Sequence, residues 1–321
     1  MTPSGSDLAL LRLGDVLKQV GYRHITVTPA THARVNTRTE NAWAKDLTGV
    51  FGWSRPFRVG TVPVHVFELM RQAGIAAPYQ DGWRSTLRVS NLNDRLYFHS
   101  AWPTEAADAV FFGPDTYRYT AAVSQHFSLD QPFVRRAVDI GCGSGAGAIE
   151  LALRLPDAEV LAVDINDAAL RLARINAALA SAPIQTRHSN LLAEVDGQFD
   201  LITANPPYLL DPAARSYRHG RGPLGAGLSL DIIKTALQRL NPGGRLLLYT
   251  GSAIVEGKDL FHLAAAQQLK SQCAWSYREI DPDVFSEELE SGAYASADRI
   301  AAVWLCATMP ATSTNEEGAP C

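Results

Sequence analysis

Cysteine is scarce in this sequence. Its four copies, Cys142, Cys273, Cys306 and Cys321, include no C-x-x-C pair, which argues against a zinc ribbon or disulfide framework and fits a reducing compartment. Excess positive charge is also missing. The 29 Lys and Arg stand against 33 Asp and Glu, a formal net charge of -4, so holding nucleic acid by bulk electrostatics alone is not expected. No run approaches the roughly 18 apolar residues that a membrane span requires. The opening Met1-Thr2-Pro3-Ser4-Gly5-Ser6-Asp7 lacks the basic stretch and apolar core of a secretory leader. These absences predict a cytoplasmic protein without membrane contact. They leave the oligomeric state open, and no internal repeat is visible.

The 321 residues suffice for one large unit and a smaller one, since domains usually run about 100–200 residues. In the first third, a helix is predicted from Asp7 to Val20, capped by Ser6, with Leu8, Leu11, Val16, Leu17 and Val20 near one face. Trp43, Phe51, Trp53 and Phe57 are apolar anchors in a stretch rich in turn formers. Pro63 opens a second helix, Val64 to Ala73, which Gly74 stops. Leu87, Val89, Leu96, Phe98 and Ala101 alternate with polar residues around Asn91-Leu92-Asn93-Asp94, the pattern of two half-buried antiparallel strands. The expectation is a small α+β N-terminal domain over 1–114, winged-helix-like in outline, serving as a substrate-recognition or lid domain. Without a basic run, it is not expected to bind DNA.

From Arg135 the pattern changes to short apolar runs alternating with helical segments, the signature of βαβ units. Strands are predicted at Ala137–Ile140, Val160–Val163, Ile184–Arg187, Leu201–Ala204, Arg245–Tyr249, Trp275–Ile280 and Ile300–Leu305. Helices are predicted at Ala146–Arg154, Asp167–Ala180, Leu228–Leu240 and Val255–Gln272. The fold class this implies is α/β, a Rossmann-like seven-stranded, mostly parallel sheet with helices on both faces, over 115–307. The Ser/Thr/Pro/Glu/Gly-rich remainder, 308–321, is expected to be disordered.

The segment Val138-Asp139-Ile140-Gly141-Cys142-Gly143-Ser144-Gly145 follows a predicted strand and opens a helix. Gly141 and Gly143 let the backbone turn tightly and approach a ligand, while Gly145 lets the helix start pack closely. Asp139 at the head of this loop would repel a pyrophosphate but accept hydrogen bonds from an ammonium group. Asp164 ends the next strand, in Ala162-Val163-Asp164-Ile165-Asn166, where a doubly wound fold aims a carboxylate at ribose hydroxyls.

Here the sequence resembles the class I S-adenosylmethionine-dependent methyltransferases over roughly its last two-thirds. The resemblance implies S-adenosylmethionine as cofactor. Asp139, Gly141, Cys142, Gly143 and Gly145 would lie along its methionine part, with Asp164 and Ile165 at the ribose. The family's acid after the third strand, set against the adenine amine, is replaced by Ser189-Asn190-Leu191, so that Asn190 and Leu191 occupy the adenine position without a charge.

The fourth predicted strand ends in Asn205-Pro206-Pro207-Tyr208. An amide or aromatic amine is a weak nucleophile, so its methylation depends on orientation more than on a strong base. The Asn205 side-chain oxygen and the Pro206 carbonyl would each accept an N–H and turn the lone pair toward the methyl. Pro207 stiffens the turn and Tyr208 offers a flat surface. This motif is similar to those of the amino-methyltransferases, among them release-factor glutamine methyltransferases and adenine-specific DNA methyltransferases. Phe112-Gly113-Pro114-Asp115-Thr116-Tyr117 also resembles the P-D-T segment of the glutamine enzymes. Two features depart from that group, Gly113 in place of an arginine and an N-terminal hairpin in place of a helical bundle.

The resemblance implies an N-methyltransferase acting on a protein glutamine amide or a small-molecule amine. Two alternatives stay open: a cyclase that forms a small ring from S-adenosylmethionine itself and releases methylthioadenosine, or an adenine N-methyltransferase on nucleic acid. The loop from Leu209 to Gly227 carries Arg215, Tyr217, Arg218, His219 and Arg221. It is expected to close over the acceptor, with its cations on a carboxylate or phosphate and His219 as a candidate base.

Overall fold

The computed structural model describes residues 4–129, 132–215 and 217–311. Helix α1 (Gly5–Gln19) starts two residues earlier than predicted because Ser4, not Ser6, caps it. The Ser4 hydroxyl accepts from the Asp7 amide at 3.2 Å and the Asp7 carboxylate accepts from the Ser4 amide at 3.4 Å, a reciprocal capping box. The buried face also differs from the predicted one. Ala9, Leu10, Leu13 and Leu17 point inward, whereas Leu8 and Val20 lie exposed. Helices α2 (Pro29–Asn36) and α3 (Val64–Gln72) follow, then a hairpin of β1 (Ala76–Tyr79) and β2 (Gly82–Ser85) that the sequence did not suggest.

The one predicted hairpin is present as β3 (Leu87–Leu92) and β4 (Arg95–Ser100). Its turn residues Asn93 and Asp94 both have positive φ, the backbone that a two-residue turn of matching twist demands. The strands are not half-buried as expected, because the polar face is covered as well. Arg88, Ser90 and His99 are buried beside His24 and His32, with Trp53 and Trp102 against His32 and Phe112 stacked on His99. Trp43, Phe51, Trp53 and Phe57 serve as packing anchors in this region, and none of them lines the main cavity.

The remaining elements follow the alternation that the sequence indicated, with a helix at Pro114–Leu129 and a short strand at Lys258–Asp259 added to it. They are α4 (Pro114–Leu129), β5 (Arg136–Ile140), α5 (Ala146–Arg154), β6 (Glu159–Asp164), α6 (Asp167–Ala180), β7 (Gln185–His188), β8 (Phe199–Ala204), α7 (Gly227–Arg239), β9 (Leu240–Val255), β10 (Lys258–Asp259), α8 (Leu260–Leu269), β11 (Ala274–Asp281) and β12 (Arg299–Thr308). The sheet runs β11-β12-β9-β8-β5-β6-β7. From β7 through β9 neighbours are parallel, and β12 enters antiparallel between β9 and β11. The order reverses at β5, which pairs with both β6 and β8, and this switch point opens a crevice beyond the strands' carboxyl ends. Alternate residues serve opposite faces. Ala137, Leu201 and Leu247 pack toward α4, α5 and α6, while Val138, Ile202 and Leu246 pack toward α7 and α8.

Several boundaries depart from expectation. Val255 does not begin a helix, because β9 continues through it and folds back through β10 in a small hairpin. Asp259 then caps α8 by accepting from the His262 amide at 2.8 Å. Thr308 belongs to β12, paired with Arg245 and Ala274, and the Met309 amide donates to the Gly244 carbonyl, so the sheet holds the start of the predicted tail. From 312 on, that tail lies outside the described residues. Among the described residues, no helix is long and apolar enough to cross a membrane.

Helix α6 is buried on two sides. Leu170, Ala173 and Ala177 face the sheet, whereas Ala169, Leu172, Ile175 and Leu179 complete a core with α1, α3, β3 and β4. Between these stripes lies Asn176, fully buried. It donates to the Phe98 and Ser144 carbonyls at 3.0 and 2.9 Å and accepts from the Phe98 amide at 2.8 Å. One side chain thus closes the open edge of β4 and holds the backbone of the loop after β5.

Candidate active site

A cavity of about 540 Å³ occupies the crevice at the switch point. It is lined by the glycine loop after β5, the ends of β6 and β8, the turn after β7, the start of α4 and the 209–221 loop. Gly141 and Gly143 have φ of +70° and +52°, and a Cβ placed on either would meet nothing within 4 Å. Their role is therefore backbone conformation and an open approach to the cavity. Gly145 differs from both. Its missing Cβ would lie 3.0 Å from Ala173 of α6; it allows the packing of α5 on α6 and does not line the cavity. Cys142 is buried, its thiol pushed up by burial and by Asp164, and it lines the cavity beside the two open glycines.

Asp139 is 2% exposed, with both oxygens engaged from within. One accepts from the Tyr119 hydroxyl at 2.9 Å and the other from the Ala148 amide at 2.9 Å. Burial pushes its carboxyl up to about 7 despite these donors. Its chief service is to brace the loop from behind. Tyr119 also meets Thr203 of β8 at 2.8 Å, and Gly147 is required beneath it, since a Cβ there would lie 2.5 Å from the tyrosine oxygen. Neither Tyr119 nor Gly147 stood out in the sequence.

Asp164 sits at the end of β6, accepting from the Gly143 and Asn166 amides, both at 2.9 Å. Burial raises its carboxyl from the usual range. The adjoining Ile165 is 52% exposed, an apolar side chain left open at the cavity rim. Across the crevice, Asn190 is exposed and its amide donates to Glu194 at 2.8 Å, while Leu191 is half-buried with φ of +53°.

The end of β8 presents Asn205, half-buried at the cavity wall. Among the described residues, none makes a hydrogen bond to its side chain, and the Pro206 carbonyl accepts from no backbone amide. Pro206 and Pro207 complete that wall. Tyr208 is 5% exposed, and its ring lies so close to β9 that a Cβ on Gly251 would fall 2.1 Å from it. Its hydroxyl turns into the protein, donating to Asp115 at 2.6 Å, where Tyr249 also donates at 2.7 Å. Burial pushes the Asp115 carboxyl up, with the two phenols and Arg118 opposing the shift. Gly113 stands where a Cβ would lie 2.6 Å from the Phe111 ring, so the departure from arginine makes room for an aromatic that lines the cavity.

The cations of the 209–221 loop, expected on a ligand's carboxylate or phosphate, are paired with the protein's own carboxylates. Arg215 grips Asp211 through two bonds of 2.6 and 2.8 Å, Arg218 pairs with Glu288, and Arg221 lies 3.1 Å from Asp231. The Tyr217 hydroxyl donates to the Thr104 carbonyl at 2.6 Å. Nor is His219 placed as a base, because its Nδ1 accepts from the Asp211 amide at 3.1 Å.

The strand order and the strand-end cavity define a Rossmann-like α/β protein. More particularly, residues 120–258 match the family described as Methyltransferase small domain. The chain is similar to a release factor glutamine methyltransferase of Deinococcus radiodurans, 39% identical over 35% of this chain and 44% of that protein. It is also similar to one of Mycobacterium leprae, 37% identical over 41% and 50%, and to a ribosomal protein uL3 glutamine methyltransferase of Neisseria gonorrhoeae, 35% identical over 37% and 43%. The chain thus spans about half the length of the curated relatives it matches. A solved methyltransferase from Pyrococcus furiosus aligns with a TM-score of 0.42 and 18% identity, over 59% of this chain and 83% of that one.

Proposed function

We propose that this protein is an S-adenosylmethionine-dependent N-methyltransferase whose acceptor is a primary amide, a protein glutamine in the first instance. The observation that carries the reading is Asn205, an amide side chain just after β8 at the cavity wall, without a hydrogen-bond partner among the described residues and next to a Pro206 carbonyl that accepts from no backbone amide among them. A buried-edge polar group without an internal partner is costly unless a ligand or water meets it. The names of the relatives support glutamine over a small-molecule amine.

The residues fit the proposed cofactor. Asp164 would hold the ribose hydroxyls, Ile165 and Leu191 would flank the adenine with Asn190 at its edge, and the open backbone at Gly141 and Gly143 would admit the methionine part. When bound, S-adenosylmethionine supplies an electrophilic methyl carbon on a sulfonium. The protein's own work is orientation. Asn205 and the Pro206 carbonyl take the two N–H groups of the amide and turn its nitrogen lone pair toward the methyl carbon. With the methyl carbon supplied, these two oxygens would stabilise the positive charge that a nitrogen gains on alkylation, until one proton passes to water. Tyr208, fixed by Asp115, forms the floor beneath.

The test is incubation of the full chain with methyl-labelled S-adenosylmethionine and a short peptide containing one glutamine. Label on the glutamine nitrogen with equimolar S-adenosylhomocysteine is the expected result. Methylthioadenosine without labelled peptide would instead indicate ring closure within the sulfonium compound, and label found only in added DNA would point to an adenine acceptor.

A further inference from the structure

His219 is fixed in one tautomer. The Asp211 backbone N–H can donate only to an imidazole nitrogen with a free lone pair, so at 3.1 Å the Nδ1 is unprotonated and the ring hydrogen is on Nε2. The segment that carries the ring is tied to the strand end. Leu209 donates to the Arg218 carbonyl at 3.2 Å and Gly220 donates to the Leu209 carbonyl at 2.8 Å. Asp211 is in turn held by Arg215, through both the guanidinium and the backbone amide. Gly220 lies so near the motif that a Cβ there would fall 2.6 Å from the Tyr208 Cα. His219 lines the same cavity as Asn205 and Pro206.

A primary amide has two N–H donors and one carbonyl acceptor. The strand end offers two acceptors, and four neighbouring side chains that could donate are engaged elsewhere. Tyr208 donates to Asp115, Tyr119 to Asp139, Asn166 to the Asp108 carbonyl, and Arg218 pairs with Glu288. Resting on the acceptor class argued above, we propose that His219 donates its Nε2–H to the carbonyl oxygen of the acceptor amide and thereby selects an amide over an amine. His219 is a specificity residue and takes no proton. An amine at the same place would leave the N–H facing carbon, and sites built to hydrogen-bond a polar group discriminate against analogues lacking it.

The test uses the full-length chain and two peptides that differ at one side chain. One carries glutamine; the other carries ornithine, which has a methylene where glutamine has its carbonyl. His219→Phe should raise the KM for the glutamine peptide about tenfold and leave the inhibition constant of the ornithine peptide unchanged. His219→Gln, which can both accept from Asp211 and donate, should restore most of the loss. Equal weakening of both peptides would mean that the ring merely props Asp211, and no change for either would also overturn the assignment. Nitrogen NMR of the labelled wild-type protein without substrate should find the proton on Nε2; a proton on Nδ1 would contradict the geometry. If wild type transfers no methyl to the glutamine peptide, the acceptor reading itself fails and takes this proposal with it. Transfer by wild type that is insensitive to His219→Phe sinks the proposal alone.

Discussion

Tyr208 and Asp115 lie 93 residues apart in sequence and 2.6 Å apart in space, the phenol donating to the carboxylate. This bond ties the turn after β8 to the first turn of α4, and Tyr249 and Arg118 complete the shell around the acid. Tyr208→Phe keeps the ring on Gly251 and removes only the donor, so stability should fall by about 1–3 kcal/mol while turnover drops no more than about tenfold. Asp115→Ala should cost more, since it leaves two buried phenols without an acceptor. Urea denaturation of both variants measures this, and an unshifted midpoint would show the bond to be incidental.

Asn205 and Asp164 should separate cleanly in function. Asn205→Ala is expected to lower turnover on the order of a hundredfold while leaving S-adenosylmethionine affinity intact. Asp164→Ala should do the reverse, weakening cofactor affinity by roughly tenfold or more through loss of a charged acceptor. Calorimetry beside initial-rate kinetics distinguishes the two. Equal effects of both substitutions on affinity would contradict the division of labour.

The buried histidines give the N-terminal region an acid sensitivity. Burial, reinforced by the Arg88 guanidinium, pushes His24 down to about 4 and His32 down to about 3, and holds His99 well below its usual range. Folding therefore keeps them neutral. Below about pH 6.5 the unfolded chain binds protons that the folded one does not, so their contribution is complete above that pH. It is lost as pH falls toward 4, at up to about 1.4 kcal/mol per pH unit for each ring. The buried carboxyls Asp115, Asp139 and Asp164 are raised and act with the opposite sign, which makes a variant comparison necessary. His99→Phe should lose less stability between pH 7 and pH 5 than wild type does, and identical losses would count against the account.

The parts of the fold that were legible in the sequence are those fixed by local backbone demands. Three glycines after a strand, an acid ending the next one and a proline pair ending the fourth each require a particular local geometry, and the structure brings all three strand ends to one cavity. Helix α4 was hidden because its buried stripe includes Thr116 and Thr120 beside Tyr119, Val123 and Phe127, so apolar periodicity undercounts it. The β1–β2 hairpin was masked by Pro78 and by the polar turn Gln80-Asp81. Helix α8 was started too early because Val255-Glu256-Gly257-Lys258 carries no strong turn signal apart from Gly257, and the bend is made by Glu256 and Gly257 together, with φ of +49° and +70°. The supports of the site escaped notice for a different reason. Asp115 with Tyr208, Asp115 with Tyr249, and Asp139 with Tyr119 are pairs that only the assembled sheet creates.

The amide of Asn176 has its own consequence for how such proteins can be recombined. Because this single group serves both the rim of the front hairpin and the cavity-lining turn, a chimera that exchanges the first hundred residues for an unrelated segment inherits an unmet obligation on each side of the seam. Only replacements that present a strand margin at the same height can be grafted without loosening the glycine turn. Altering the front hairpin is thus coupled to the backbone geometry of the loop that lines the cavity.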